Sequence, residues 1–224
     1  MPPVYSDAVE DYLKVIYSLT RQLGKATTNQ LAEQLNVTPA SVTGMIQKLA
    51  ATEPPLVLYQ KHRGVELTPE GERVALEVIR HHRLLELFLH ETLGYSWDEV
   101  HAEADRLEHV ISEDFEERIA KALGNPVHDP HGEPIPSKEL NLPPSSNMLL
   151  RDLKPGQNAT VERVDAADPN LLRYLGEVGL TPDAKVEAFD YSPYDELLSI
   201  RIMGRKTPLV LGPKITSQVW IVLD

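Results

Sequence analysis

Apolar residues along the first fifty positions recur every three to four residues and are interrupted by two short polar turns, which predicts three consecutive helices. From Asp7 to Gln22 the apolar positions are Val9, Leu13, Ile16, Tyr17 and Leu19, with Asp7 placed to cap the start. Thr28 precedes the short amphipathic run NQLAEQL, Asn36-Val37-Thr38 interrupts it, and Pro39 opens ASVTGMIQKLA. Leu31, Leu35, Val42, Ile46 and Leu49 form the packing stripe of this pair and leave Thr38, Ser41, Thr43, Gln47 and Lys48 on the outer face. Two short helices joined by a tight turn, the second with a short polar outer face, are the pattern of a helix-turn-helix.

The run LVLYQKHRGVELT then reads as two short strands around Lys61-His62-Arg63-Gly64, where glycine supplies the turn and the tip forms a basic wing. The residues expected to meet DNA are Thr28, Thr38, Pro39, Ala40, Ser41, Thr43, Gln47 and Lys48 on the helices, with Lys61 and Arg63 on the wing. Short hydroxyl side chains suit phosphates, thymine methyls and base edges, and the cations suit phosphate. Few long base-reading side chains are present, so DNA shape is expected to share in the recognition.

Thr68-Pro69-Glu70 opens a long helix that runs to Gly94, with Leu76, Ile79, Leu84, Leu87, Phe88 and Leu89 as its buried positions. Ser96 is expected to cap a further helical stretch that continues, with one break, through DEVHAEADRLEHVISEDFEERIAKALG. Apolar stripes this broad, with little room for a private core, predict a dimerisation layer. GNPVHDPHGEPIPSKELNLPPSS is rich in Pro, Gly and Ser and reads as a linker. From Met148 onward the period changes: NATVERV, KVEAF, LLSIRI and SQVWIVL are β runs, with one short helix near Asn170–Glu177, and a small five-stranded barrel of the SH3 kind fits them. The fold class expected is mainly α with a small β domain, divided into a winged helix-turn-helix at 1–69, a helical metal-binding and dimerisation domain at 70–140, and an SH3-like domain at 141–224.

Charge sharpens this division. The 224 residues carry a formal net charge of −12, but Lys+Arg against Asp+Glu is 6 against 6 over residues 1–69, 7 against 17 over 70–147 and 9 against 11 over 148–224. A neutral N-terminal unit can approach phosphate, whereas the acidic middle needs solvent or cations. The chain has no cysteine, which removes disulfides, thiolate–zinc sites, iron–sulfur clusters and cysteine nucleophiles. The start, MPPVYSDAVEDYLKVIY, lacks a basic region followed by an apolar run, and no stretch of about 18 apolar residues occurs, so a cytoplasmic protein is expected.

The candidate chemistry lies in VHAEADRLEHVI. His101, Asp105, Glu108 and His109 stand at relative positions 0, +4, +7 and +8, which on one continuous helix confines them to about 80–100° of its surface. His82 and Glu86 are one turn apart on the preceding helix, and Asp11 is offered by the first. Carboxylates with imidazoles suit Mn²⁺, Fe²⁺, Zn²⁺ or Co²⁺, and an oxygen majority without sulfur favours the harder ions. A solvated acidic helix face shows the same spacing, and a metal-bound water with Glu108 or Asp105 as general base is the catalytic alternative. No HExxH, nucleophile elbow or phosphate loop accompanies these residues, and a helix-turn-helix has no use in a hydrolase, so no enzyme is expected. A winged-helix regulator that answers to an organic ligand is the remaining rival.

EDYLKVIY, TPASVTGMIQKL, LTPEGERVA, HHRLLELFL, PHGEPIP, LLRYLGEVGL and above all VHAEADRLEHVISEDFEERI resemble the diphtheria-toxin-repressor family of metalloregulators, in particular its manganese transport regulator branch, over nearly the whole chain. The resemblance implies a homodimeric transcriptional repressor of metal-uptake genes that binds a palindromic operator when loaded with metal, with an SH3-like (FeoA-like) third domain. By position, its primary metal ligands are Asp11, Asp105, Glu108 and His109, with His82. Iron-responsive members carry methionine at the position of Asp11 and cysteine at that of Asp105, so Mn²⁺ is the ion implied, with Fe²⁺ the alternative. The short manganese regulators have glutamate where Lys14 stands, a departure that puts a two-ion cluster in doubt. A second site is implied from Glu86 with His101 or with Asp129 and His131, closed by Asp168.

Overall fold

The computed structural model describes residues 5–60 and 64–224, with the side chain of Gln60 excepted. Lys61 and Arg63 lie outside the described residues. The chain forms two compact units: one comprises Met1–His81, Glu108–Ile111 and Pro136–Asn141, and the other His82–Leu107, Ser112–Ile135 and Leu142–Asp224.

In the first unit, α1 (Asp7–Leu23) packs with α2 (Thr28–Gln34) and α3 (Pro39–Ala50). Leu13, Ile16, Leu31, Val42, Ile46 and Leu49 are almost fully buried in one core, as the apolar spacing requires. Each such side chain contributes about 1.5–3 kcal/mol, and cutting Ile46 back to alanine would cost about 2–5 kcal/mol. The caps differ slightly from the sequence expectation. Ser6, not Asp7, is the N-cap of α1, and Thr27 caps α2 through a reciprocal capping box with Gln30. Thr38 caps α3, accepting from the Ser41 N–H, and Pro39 takes the first helical position, where its missing N–H costs nothing. The wing is the antiparallel pair β1 (Val57–Gln60) and β2 (Gly64–Leu67). Gly71, at the start of α4 (Pro69–Leu93), is held there by sterics, since a Cβ would stand 2.0 Å from the Leu56 carbonyl oxygen.

In the second unit the helical stretch after Gly94 is shorter and more broken than its periodicity suggests. The Ser96 hydroxyl donates to Glu99 at 2.6 Å and closes a turn, and the helix α5 begins only at Val100 and ends at Leu107. Ser112 caps α6 (Glu113–Ala122), accepting from the Phe115 N–H. Glu108 and His109 therefore sit in a turn beyond α5 and not on its surface, which corrects the picture of four ligands along one helix. The Glu108 carbonyl accepts instead from His81 Nδ1 at 3.1 Å.

The C-terminal sheet has the order β6 (Leu209–Leu211), β5 (Leu197–Ile202), β4 (Lys185–Ser192), β3 (Asn158–Val164), β7 (Val219–Leu223), all pairs antiparallel. Among the described residues no pairing joins β6 to β7, so the barrel expected from sequence is not closed. Two further helices, α7 (Pro169–Val178) and α8 (Pro213–Thr216), accompany the sheet. Leu172, Leu175 and Leu180 fill its core against Val161, Ile200, Leu211 and Ile221. No helix among the described residues is long and apolar enough to cross a membrane.

Candidate metal centres

The first unit gathers one donor group. Asp11, on α1, stands with Glu108 and His109 so that one ligand atom of each lies within 4.8 Å of the others. His109 Nε2 is 3.1 Å from Asp11 Oδ1 and 3.4 Å from Glu108 Oε1. His109 Nδ1 lies 2.6 Å from Glu10 Oε2, so the acceptor-only carboxylate fixes the ring from behind and turns Nε2 toward the cluster. Burial works against a charged His109, yet Glu10, Glu108 and Asp11 together hold its pKa above the ordinary imidazole value. Burial also raises Asp11. The Glu108 side chain is only 1% exposed, and the Lys14 ammonium donates to both of its oxygens at 2.9 and 2.8 Å.

The second unit gathers a larger set around Glu86, which is buried on α4. His82 Nε2, His101 Nδ1 and Glu86 Oε1 form a triangle with sides of 2.9, 3.0 and 3.0 Å. Ligand atoms on an octahedron with bonds of about 2.1 Å stand about 3.0 Å apart, so this triangle has the dimensions of one coordination face. Asp105 Oδ1 is 3.3 Å from His82 Nδ1, and its Oδ2 is 3.6 Å from His101 Nε2. On the other side of Glu86 lie Asp129 and His131, all three buried and within 4.8 Å. His131 has no exposed surface; its Nε2–H donates to the Trp97 carbonyl at 2.7 Å, and its ring stacks on the Trp97 indole. Among the described residues His131 Nδ1 has no hydrogen-bond partner, and it faces Glu86 Oε2 at 3.8 Å and Asp129 Oδ1 at 4.0 Å. An unsatisfied, fully buried imidazole nitrogen aimed at two carboxylates fits a metal ligand better than a structural histidine.

Electrostatics agree with that fit. Despite burial, the facing imidazoles hold Glu86 well below the usual carboxylate range. Burial, and then the Glu86 charge, push Asp129 up to about 7. Burial opposes charge on His131, but Glu86 and Asp129 outweigh it and push His131 up to about 9. Oxygen and nitrogen donors compressed around protons in this way are suited to exchanging those protons for a divalent cation.

The loop that carries Asp129 and His131 is fastened to the C-terminal sheet. Asp129 Oδ1 accepts from the backbone of His131 and of Glu133, the Val164 N–H of β3 donates to the His131 carbonyl at 2.9 Å, and Arg163 Nε meets Glu133 at 3.2 Å. Gly132 makes the turn at φ 85°, where a Cβ would be 2.0 Å from the Glu162 carbonyl oxygen.

Of the residues singled out in sequence, Asp11, Glu108 and His109 come together in the first unit; His82, Glu86, His101, Asp105, Asp129 and His131 come together in the second. Asp168 joins neither group: it is the N-cap of α7 and its carboxylate accepts from the Asn170 N–H at 2.9 Å. Glu10 and Trp97 were not anticipated. Glu10 neighbours Asp11 but points about 100° around an ideal helix, so spacing alone gave no signal for it. Of the residues expected to meet DNA, Thr38, Pro39, Ala40, Ser41, Gln47 and Lys48 are exposed, whereas Thr28 and Thr43 are half-buried.

Residues 5–65 match the family described as "Iron dependent repressor, N-terminal DNA binding domain", residues 68–137 match "Iron dependent repressor, metal binding and dimerisation domain", and residues 148–223 match the FeoA domain. The chain is 35% identical over 193 residues to the iron-dependent repressor IdeR of Mycobacterium tuberculosis, a match that covers 80% of this chain and 83% of that protein. It is 38% identical over 112 residues to the HTH-type transcriptional regulator MntR of Geobacillus kaustophilus, over 50% of this chain and 77% of that one. A solved structure described as a manganese-dependent transcriptional repressor in complex with manganese is similar at a TM-score of 0.90 and 37% identity, covering 96% of this chain and 100% of that chain.

Proposed function

The chain belongs to the iron-dependent repressor family, and from that premise we propose that this metal-dependent DNA-binding repressor senses Mn²⁺ and silences genes of metal uptake in the cytoplasm. The observation that carries the choice of ion is the donor chemistry. Both donor groups consist of carboxylates and imidazoles, and the chain has no cysteine to supply a thiolate. Hard oxygen donors suit Mn²⁺, which gains least from sulfur. The Fe²⁺ reading is favoured by the relative named as an iron-dependent repressor, and the same two positions, Asp11 and Asp105, decide between the ions.

Asp11, Glu108 and His109 would hold the activating ion in this reading, and His82, Glu86, His101, Asp105, Asp129 and His131 would hold the second, with Asp168 assigned to its helix cap. A bound divalent cation supplies the positive charge that the clustered carboxylates otherwise lack. In the first group Asp11, Glu108 and His109 would share such an ion, and α1 would thereby be fixed against the turn that carries Glu108 and His109. In a homodimer this fixes both recognition helices α3 at the separation of successive major grooves, roughly 34 Å, on a palindromic operator. The working segments run to about residue 69 for DNA, about 140 for metal and dimer contacts, and beyond for the FeoA domain. Leu93 and Phe115, both exposed on the helices, support a surface for a second copy.

The test is operator binding by the wild type and by Glu108→Gln and His109→Ala, with Mn²⁺ and with a chelator. The reading expects tight binding only for metal-loaded wild type, with both variants folded and dimeric. Operator binding that survives chelation would return the organic-ligand regulator.

A further inference from the structure

Lys14 is hydrogen-bonded to the donor group of the first unit, and its position is unlike that of an ordinary surface lysine. Its ammonium contacts both oxygens of Glu108, at 2.9 and 2.8 Å, in a pair whose side chains are 19% and 1% exposed. Asp11, a donor of the same group, stands one helical turn before it on α1. Both carboxylate oxygens of Glu108 are thus already engaged by a charge that belongs to the protein.

We propose that Lys14 is a tethered cation that occupies the Glu108 arm of the Asp11–Glu108–His109 cluster in the metal-free protein, so that a divalent ion enters only by displacing it, and the cluster takes a single ion. The proposal rests on the metal-sensing reading above. Its physical basis is that a buried carboxylate needs a compensating charge, and Lys14 supplies it before metal arrives. A protonated amine has three donors and no lone pair, so it cannot join a coordination shell and must leave when Glu108 becomes a ligand. A second divalent ion on the same carboxylate would also meet the lysine charge at close range. Lys14 therefore keeps the empty cluster assembled and at the same time raises the metal concentration needed to fill it. The tether is a positioning and threshold residue that acts through the Glu108 carboxylate.

The test compares Lys14→Met, Lys14→Gln and Lys14→Arg in the full-length protein by titration with Mn²⁺ and by thermal melting with and without Mn²⁺. Removal of the competing charge should tighten Mn²⁺ binding at one site by about tenfold or more in the Met and Gln variants, lower the melting temperature of the metal-free protein, and enlarge the increment that Mn²⁺ restores. Arginine keeps the charge and should keep the wild-type affinity. A lysine that merely props up Glu108 predicts the opposite sign, with weaker Mn²⁺ binding in the Met and Gln variants, and that result or an unchanged affinity overturns the tether. The Gln variant stands in if the Met variant does not fold. Glu108→Gln serves as the control on the site itself. If it leaves the number of bound Mn²⁺ ions unchanged, the metal reading of this cluster fails and the tether fails with it; if it removes one ion while Lys14→Met tightens nothing, only the tether is lost.

Discussion

The backbone N–H of Val164 donates to the carbonyl of His131 at 2.9 Å, so a strand of the C-terminal sheet holds in place a residue of the buried histidine–carboxylate group. His131 is otherwise positioned by Trp97, whose carbonyl it meets and whose ring it stacks upon, and Trp97 in turn packs against Gly176 of α7. The C-terminal domain thus contributes to this site through placement of the loop, even though Asp168 is spent on a helix cap.

Gly132→Ala should separate the two donor groups. The variant must place a Cβ at φ 85° and 2.0 Å from the Glu162 carbonyl oxygen, and a non-glycine residue in such a conformation costs about 1–3 kcal/mol before any clash. The loop should lift from β3 and carry Asp129 and His131 away from Glu86. Equilibrium dialysis should then find one Mn²⁺ ion fewer per chain, with the ion of the Asp11 group retained. Full stoichiometry in a folded Gly132→Ala protein would mean that the loop supplies no ligand.

Metal binding at the Glu86 group should release protons. In the metal-free state burial pushes Asp129 up to about 7, and Glu86 and Asp129, against burial, push His131 up to about 9. Near neutral pH a metal ion that takes His131 Nδ1 must therefore eject a proton, and affinity should rise between pH 7 and 9. The sign for stability is opposite in the metal-free protein. His131 has a folded-state pKa above its ordinary 6.5, so its stabilising contribution is complete below pH 6.5 and is lost as pH rises through about 9. Calorimetric titration in buffers of different ionisation enthalpy should show the released proton, and the melting increment on adding Mn²⁺ should grow with pH. Buffer-independent heats together with a pH-flat increment would rule this linkage out.

On the DNA side, Gly44 sits exposed in the middle of α3, and among the described residues nothing beyond its chain neighbours and its own helix backbone lies within 4 Å of where its Cβ would be. Nothing within the protein requires glycine there, and alanine should stabilise the helix by about 0.5–1 kcal/mol. If the recognition face must lie close against the groove, Gly44→Ala should melt higher yet bind operator more weakly; equal or tighter binding would show that α3 leaves room at this point.

Lys48→Ala, Lys61→Ala and Arg63→Ala should each weaken binding to operator and random DNA alike, and should flatten the salt dependence by about one counterion apiece. Salt slopes equal to that of the wild type would remove the cation concerned from the phosphate contacts.

Much of the fold was legible in the sequence because it is written in periodicity: Leu31, Val42, Ile46 and Leu49 repeat at helical intervals and are buried together, and the change to alternation after Met148 marks the sheet. The residue types of the donor groups were legible too. Their grouping was not, because the spacing of His101, Asp105, Glu108 and His109 has meaning only on an unbroken helix, and the helix ends at Leu107. The contacts just beyond its end are long-range: Lys14 holds the Glu108 side chain and His81 its carbonyl, partners 94 and 27 residues away that no local pattern encodes. Glu10 escaped notice for the same reason, its role depending on where His109 arrives in the folded chain.

In the proposed function an all oxygen-and-nitrogen donor set makes this repressor answer to Mn²⁺. Asp11 and Asp105 supply hard oxygens at positions where sulfur would favour the later metals, so replacing them with Met and Cys should move the preference toward Fe²⁺. The direct measurement is operator affinity under anaerobic conditions as a function of free Mn²⁺ and free Fe²⁺, for the wild type and for Asp11→Met combined with Asp105→Cys. Wild type is expected to reach half-maximal operator binding at lower free Mn²⁺ than free Fe²⁺ and the double variant to reverse that order; the same ranking of the two metals in both proteins would contradict this.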